Sequence, residues 1–278
     1  MTVVTEAKIS EDLERFLKIH KQGKEIKYRN RISQLVATEG KSLIVDYDDL
    51  LSYRDSLAKR LLLEPDDVLK NFDDAALDTL KTTHSDFAAR IRKEDLAVRI
   101  RGLPETLKLR GITTEHLDKF VALSGLAVRT SELKPLALKA VFRCRNEHPT
   151  SVPQKGLFLK KPIRCEECEE TRYFELSEKE TTFIDYQIIR LQELPEELPP
   201  GQLPQSFDVD LTTDMVHVVR PGDRIILTGI VRAEAEYTST AGRLRTFRSR
   251  IEGNYVEVLG KEPEQLPLSP EDKAKITL

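Results

Sequence analysis

Cys144, His148, Cys165 and Cys168 restrict the folding of this chain more than any other residues in it. Three residues separate Cys144 from His148, sixteen separate His148 from Cys165, and two separate Cys165 from Cys168. Two close pairs of donors joined by a loop build a tetrahedral zinc site of the ribbon type, because two intervening residues let both sulfurs of Cys165-Glu166-Glu167-Cys168 turn toward one ion. Every cysteine in the chain is used, which three unrelated thiols beside a surface histidine would not explain. Four protein ligands close the coordination shell, so the spacing predicts a structural Zn2+; a catalytic ion keeps one position open for water. Few apolar residues lie in this lobe, and its folding is expected to depend on the metal.

The rest of the chain must supply the cores that the lobe lacks. Its 278 residues allow one large domain or two to three small ones. No apolar run approaches the ~18 residues of a membrane span, and Met1 to Ser10 carries no basic stretch followed by an apolar segment. The expectation is a cytoplasmic protein without a membrane partner. The formal charge of −3 gives no global attraction to nucleic acid, so any such role rests on a local concentration of Arg and Lys.

From Ser10 to about Ser85 the pattern is helical. Ser10 is expected to cap a helix carrying Leu13, Phe16, Leu17 and His20 on one face. Lys41 to Asp46 reads as a short strand, Asp48 to Leu63 as one helix, and a further helix starts with Pro65 in its first turn. From about Asp95, β-type stretches separated by turns take over: Leu96–Leu103, Phe120–Arg129, Leu136–Arg143, Thr181–Gln192, Ser206–Leu211, Arg224–Ala235 and Arg243–Leu259. Five to seven such strands with a short helix near Thr114–Leu117 fit a small closed barrel of the OB type. The cysteine segment interrupts that barrel as an insertion.

Arg243, Arg245, Arg248 and Arg250 lie within eight residues, just after the turn-like run Thr238-Ser239-Thr240-Ala241-Gly242. Two strands joined by this turn make a hairpin, and alternation puts Arg243 and Arg245 on one face with Phe247 and Ile251. A basic tip suits phosphate contacts; a solvated edge hairpin that uses charge to prevent aggregation is the plainer reading. Arg129, Lys134 and Arg190 are further candidates on the barrel.

The order of these parts resembles the N-terminal region of the minichromosome maintenance (MCM) replicative helicases, of archaeal type, over nearly the whole chain. The residues carrying it are Leu43–Leu50, Leu123–Lys134, the four metal ligands, Tyr186–Phe207 with Pro200-Gly201-Gln202-Leu203-Pro204, Arg220-Pro221-Gly222-Asp223 with Gly229, and Gly253-Asn254-Tyr255. The resemblance implies an α+β chain of several subdomains. These are a helical subdomain over 1–92, an OB-fold barrel over 93–140 and 178–259 with a DNA-binding hairpin at about 233–250, a zinc ribbon over 141–177, and a linker over 260–278 toward an absent ATPase domain. Arg243 and Arg245 would form the hairpin tip, Arg248 on the opposite face would be a further DNA-binding residue, and Arg129, Lys134 and Arg190 would contact single-stranded DNA on the barrel. The loop from Glu193 to Ser206 would couple this tier to the ATPase tier, with Gln192, Glu193, Gly201 and Gln202 as its residues. Gln205 stands where the family commonly has Arg, and the three-Cys, one-His set departs from the family's all-cysteine version.

On this reading the chain is the non-catalytic DNA-binding and oligomerisation tier of a nucleoid-associated replicative helicase. Its partners are single- or double-stranded DNA, its own copies in a hexamer, double hexamer or open filament, and other replication factors. No Gly-x-x-x-x-Gly-Lys-Ser/Thr loop occurs in the 278 residues, so they contain no ATP site of that kind and the chain alone is not expected to be an enzyme. The chief alternative is an independent OB-fold single-stranded DNA-binding protein, which would stack bases on aromatics. With 6% aromatic residues and no Trp, a stacking platform is less expected than a phosphate-tracking hairpin. A zinc hydrolase would need an open metal position.

Overall fold

Helix formers with apolar residues at three-to-four spacing fill the first third of the chain. In a computed structural model, which describes residues 6–22, 25–154, 156, 158–238 and 242–259, they form α1 (Glu6–Ile19), α2 (Lys27–Ala37), α3 (Tyr47–Tyr53), α4 (Asp55–Leu63), α5 (Pro65–Thr83) and α6 (Ser85–Arg90). Leu13, Phe16 and Leu17 are fully buried on the inner face of α1, which packs against α5 and its Val68, Phe72 and Leu80. Pro65 occupies the first turn of α5, where its missing N–H costs nothing.

Two local expectations are corrected. Ser10 lies inside α1, which starts at Glu6; the helix formers Glu6, Ala7 and Lys8 extend it past the supposed cap. The single helix over Asp48–Leu63 is broken at Arg54, whose backbone is extended (φ −156°, ψ 103°) and whose guanidinium binds Asp12 on α1. No glycine or proline marks that break, because a tertiary contact holds it.

Two short strands, β1 (Lys21–Gln22) and β2 (Glu25–Ile26), join α1 to α2. Then β3 (Ser42–Asp46) pairs in parallel with β4 (Ala97–Arg101). The sequence grouped β4 with the barrel strands; the structure places Val98 and Ile100 in the helical core beside Leu43 and Val45. Alternation of Val98 and Ile100 with Arg99 and Arg101 shows that one face is apolar but does not disclose which core that face will join.

The remaining strands are β5 (Thr106–Lys108), β6 (Phe120–Thr130), β7 (Lys134–Cys144), β8 (Pro149–Pro153), β9 (Phe174–Leu176), β10 (Thr182–Gln192), β11 (Ser206–Thr212), β12 (Arg224–Thr238) and β13 (Gly242–Val258). A 3-10 turn over Thr114–His116 stands where the short helix was expected. The pairings form a circuit. Antiparallel β6–β12 and β12–β13 lead to parallel β13–β11, then antiparallel β11–β10 and β10–β6 return to the start. Inward alternation fills it with Leu123, Ile189, Leu191, Val209, Leu227 and Ile251. At a bulge between Thr228 and Gly229, Gly229 faces Gly253, and a Cβ at Gly229 would meet the Glu252 carbonyl oxygen at 2.4 Å.

Two features leave this circuit. Strands β12 and β13 pair with β6 and β11 only as far as Ile230 and Arg250, so beyond those residues they pair with each other and project as a two-stranded hairpin. The expected turn residues Ser239, Thr240 and Ala241 lie outside the described residues, as does the expected linker from Gly260. The second feature is the far end of β7, which carries β8 and β9 on its two edges and makes a small lobe around Phe142 and Phe174.

Candidate metal centre and nucleic-acid interface

Each metal-ligand pair sits on a tight turn. Cys144, the last residue of β7, accepts from the Glu147 N–H (2.9 Å) and donates its own N–H to the His148 carbonyl (3.2 Å). Cys165 repeats this arrangement, accepting from the Glu169 N–H (3.2 Å) and donating to the Glu170 carbonyl (2.8 Å). Glu147 (φ 63°) and Glu169 (φ 57°) both adopt the left-handed backbone such turns require. The ligand atoms of Cys144, His148, Cys165 and Cys168 all lie within 4.8 Å of one another, with the Cys144 and Cys168 sulfurs 3.5 Å apart.

The residues fit a metal ion. His148 Nδ1 is buried without a hydrogen-bond partner, while its Nε2 lies 3.4 Å from the Glu167 carboxylate. A cation between the sulfurs and Nδ1 would satisfy that orphan, with Glu167 orienting the ring from behind. Backbone N–H groups of Cys168 and Glu167 pull the Cys165 thiol down to about 6, which favours the thiolate a metal needs. Four convergent donors of this kind can hold one ion in a closed shell.

The basic residues divide into two groups. Arg243 and Arg245 are exposed on the projecting hairpin, and the Arg243 guanidinium lies over the Phe247 ring, 5.4 Å from its centre. The other group forms a row across the outside of the circuit. Arg129 on β6 is opposite Arg190 on β10, Arg190 is opposite Asp208 on β11, and Asp208 is level with Arg250 on β13. Asp208 accepts from Arg190 at 2.8 Å and from Arg248 at 2.6 Å, so one carboxylate holds two arginines while Arg129 stays exposed. Lys134 is exposed at the start of β7, opposite Tyr186. Arg250 belongs to the hairpin's base, bound to Asp210 and to Glu234 (3.2 Å). Asp208 was invisible in the sequence, because only the register of β10 against β11 brings it between two arginines.

The loop after β10 is tied at both ends by one residue. Glu193 is 2% exposed and receives a two-pronged contact from Arg110 (2.9 and 3.0 Å) and the Gln205 N–H (3.1 Å). These donors, Arg110 first, hold its carboxyl below the usual range. Glu193 therefore anchors the loop from inside, whereas Gly201, in the left-handed region at φ 77°, and Gln202 lie on its exposed part. Gln192 is half-buried at the end of β10, opposite Leu126 and Ser206. Nothing in the sequence around Arg110 marked it as the partner of Glu193.

Two domain families match the chain: the MCM N-terminal domain over residues 10–102 and the MCM OB domain over residues 108–235. The Minichromosome maintenance protein MCM of Saccharolobus solfataricus is 30% identical over 259 residues, which are 90% of this chain and 37% of that protein. DNA replication licensing factor mcm3 of Schizosaccharomyces pombe is 30% identical over 246 residues, 85% of this chain and 28% of its own length. DNA replication licensing factor mcm4 of Xenopus tropicalis is 31% identical over 207 residues, 74% and 24% respectively. The chain thus spans about a quarter to somewhat over a third of these relatives. Archaeal and eukaryotic proteins match at similar identity, so the match does not single out the archaeal type.

Proposed function

Because this chain carries the N-terminal and OB domains of the minichromosome maintenance family, we propose that it is the DNA-binding and oligomerisation tier of a replicative helicase, of which it is the non-catalytic part. The observation that carries the proposal is the two-stranded hairpin, which leaves the barrel circuit and presents Arg243 and Arg245 to solvent. Arg129, Arg190, Arg248 and Lys134 continue the positive surface toward its base. Arginines spread along a projecting ribbon suit the sequence-independent contacts a protein makes when it encircles or tracks DNA.

On this reading the strand circuit is a closed OB barrel, and the ion in the lobe is zinc, chosen by the three-thiolate, one-imidazole donor set. The zinc lobe shapes an assembly surface, and the loop tied by Glu193 transmits changes to an ATPase tier through Gln192, Gly201 and Gln202. Self-association would follow a head-to-tail contact, which closes into a ring or winds into a filament.

Anisotropy titration of single- and double-stranded oligonucleotides across salt concentrations tests the proposal. The double substitution Arg243→Ala, Arg245→Ala is expected to weaken binding to either form and to reduce the salt slope by roughly 2. An unchanged slope would remove the hairpin from the interface.

A further inference from the structure

Three aromatic rings and one guanidinium stand in a row along one side of the hairpin, with most of their surface in water. Phe158, in the loop after β8, meets Tyr237 of β12 edge-to-face, with ring centres 5.4 Å apart and planes at 77°. Tyr237 is the direct cross-strand partner of Arg243, and Arg243 lies over Phe247. Exposure is 65% for Phe158, 54% for Tyr237 and 50% for Phe247. Rings of this size are ordinarily covered, and a contiguous set left open marks a binding surface.

Phe158 is not on a loose end. The Gln154 side chain closes its loop by accepting from the Lys160 N–H at 2.7 Å and donating to the carbonyls of Lys160 and Val152, each at 3.0 Å. Lys160 and Lys161, both exposed, follow directly. Open aromatic faces interleaved with a guanidinium and flanked by lysines match a single strand, whose bases stack while its phosphates meet the cations. Protein interfaces also gather aromatics and arginine but are depleted in lysine, so the exposed Lys160 and Lys161 beside the rings favour a polyanionic strand over a protein partner.

We infer that Phe158, Tyr237, Arg243 and Phe247 form a base-stacking platform for single-stranded DNA, shared between the metal-bearing lobe and the hairpin. The inference rests on the proposed DNA-binding role and adds base contact to phosphate contact. It also gives the lobe a part in DNA binding, since Phe158 is carried by the segment between the two ligand pairs.

The test compares a labelled oligothymidine with a strand of equal length made of abasic sites, which keeps the phosphates and removes the stacking partners. Phe158→Ala combined with Phe247→Ala is expected to weaken binding to oligothymidine roughly fivefold or more and to leave abasic binding and the salt slope unchanged. The chain contains no Trp, so Phe158→Trp gives a single reporter that retains a stacking face. Oligothymidine should quench its fluorescence and the abasic strand should not.

If the phenylalanine variant binds oligothymidine as the unaltered protein does while Arg243→Ala, Arg245→Ala binds it more weakly, the platform is refuted and the phosphate-binding hairpin stands. Binding of neither strand by the unaltered protein refutes both. If the phenylalanine variant changes oligomer size by light scattering and not base-dependent affinity, the face is a protein interface and the platform is refuted.

Discussion

Asp73, on α5, faces the start of β4 and accepts the Val98 N–H at 2.6 Å. Burial raises its carboxyl to about 7, against the pull of that N–H and of the nearby Arg99, with Asp74 adding to the rise and Lys93 opposing it. A carboxyl shifted upward in the fold costs nothing while it is protonated in both states. It costs progressively more as the pH rises from the unfolded value of 3.8 toward 7. Asp73→Asn keeps the acceptor and removes the charge. Denaturant melts should therefore find the variant more stable by on the order of 4 kcal/mol at pH 8, with the gain fading near pH 4. A gain independent of pH would show that charge is not its cause. Asp73 is one of many acidic residues in the helical region, and nothing in its neighbours sets it apart; the shift exists because α5 closes over β4.

At the scale of elements, the lobe and the bent sheet make opposite demands. Among the described residues the lobe's buried apolar set is Ala140, Phe142, Cys144, Cys165 and Phe174, and two of these five are candidate metal ligands. So small a core cannot offset the entropy of ordering β8, β9 and the loop between them. A strong chelator is expected to abolish hydrogen-exchange protection in Pro149–Pro153 and Phe174–Leu176 while β6, β10 and β12 keep theirs. Unchanged protection in the lobe would mean that its core suffices without metal. The sheet depends instead on close approach. Gly229→Ala would set a methyl against the Glu252 carbonyl at 2.4 Å, where backbone on both sides must yield. A loss of roughly 2 kcal/mol or more is expected in equilibrium unfolding, and a smaller one would mean that the bulge absorbs the strain.

For the molecule as a whole, the decisive feature is the joint between its two larger cores. Asn254 on β13 accepts the Ile100 N–H (2.7 Å) and donates to the Val98 carbonyl (3.0 Å), so its amide stands in for a strand partner along β4. Thr228 donates to the Ile100 carbonyl at 2.7 Å, and buried Arg99 crosses to Asp214 at 2.5 Å. Farther out, Arg232 on β12 binds Asp66 at the start of α5 (2.9 Å), together with Asp118 and Glu252 (3.0 Å each). Asn254→Ala strands one buried donor and one buried acceptor, which costs about 1–3 kcal/mol. Thermal unfolding followed by near-UV and far-UV signals should then separate into two transitions, helical unit and sheet domain. A single shifted transition would mean that the outer ion pairs suffice to couple them.

Spacing alone picked out Cys144, His148, Cys165 and Cys168, whose donor atoms the fold brings within 4.8 Å of one another, because a shared ion demands both residue type and separation. Stretches of β-type residues separated by turns located the long sheet strands to within a few residues, because β-branched and apolar runs and turn residues are local signals. The helix starting at Pro65 and the two strands of the hairpin were legible for similar local reasons. Other features depended on which segments meet. The break at Arg54 answers to Asp12, β4 sides with the helices because β3 pairs with it, and Arg190 and Arg248 converge because β11 brings Asp208 between them. The clearest case is aromatic content. A composition of 6% aromatic residues argued against a stacking surface, yet folding sets Phe158 beside Tyr237, 79 positions later in the numbering. Local preferences and ligand spacing are written along the chain, whereas cross-strand register and contacts between cores arise only when distant segments share the exclusion of water.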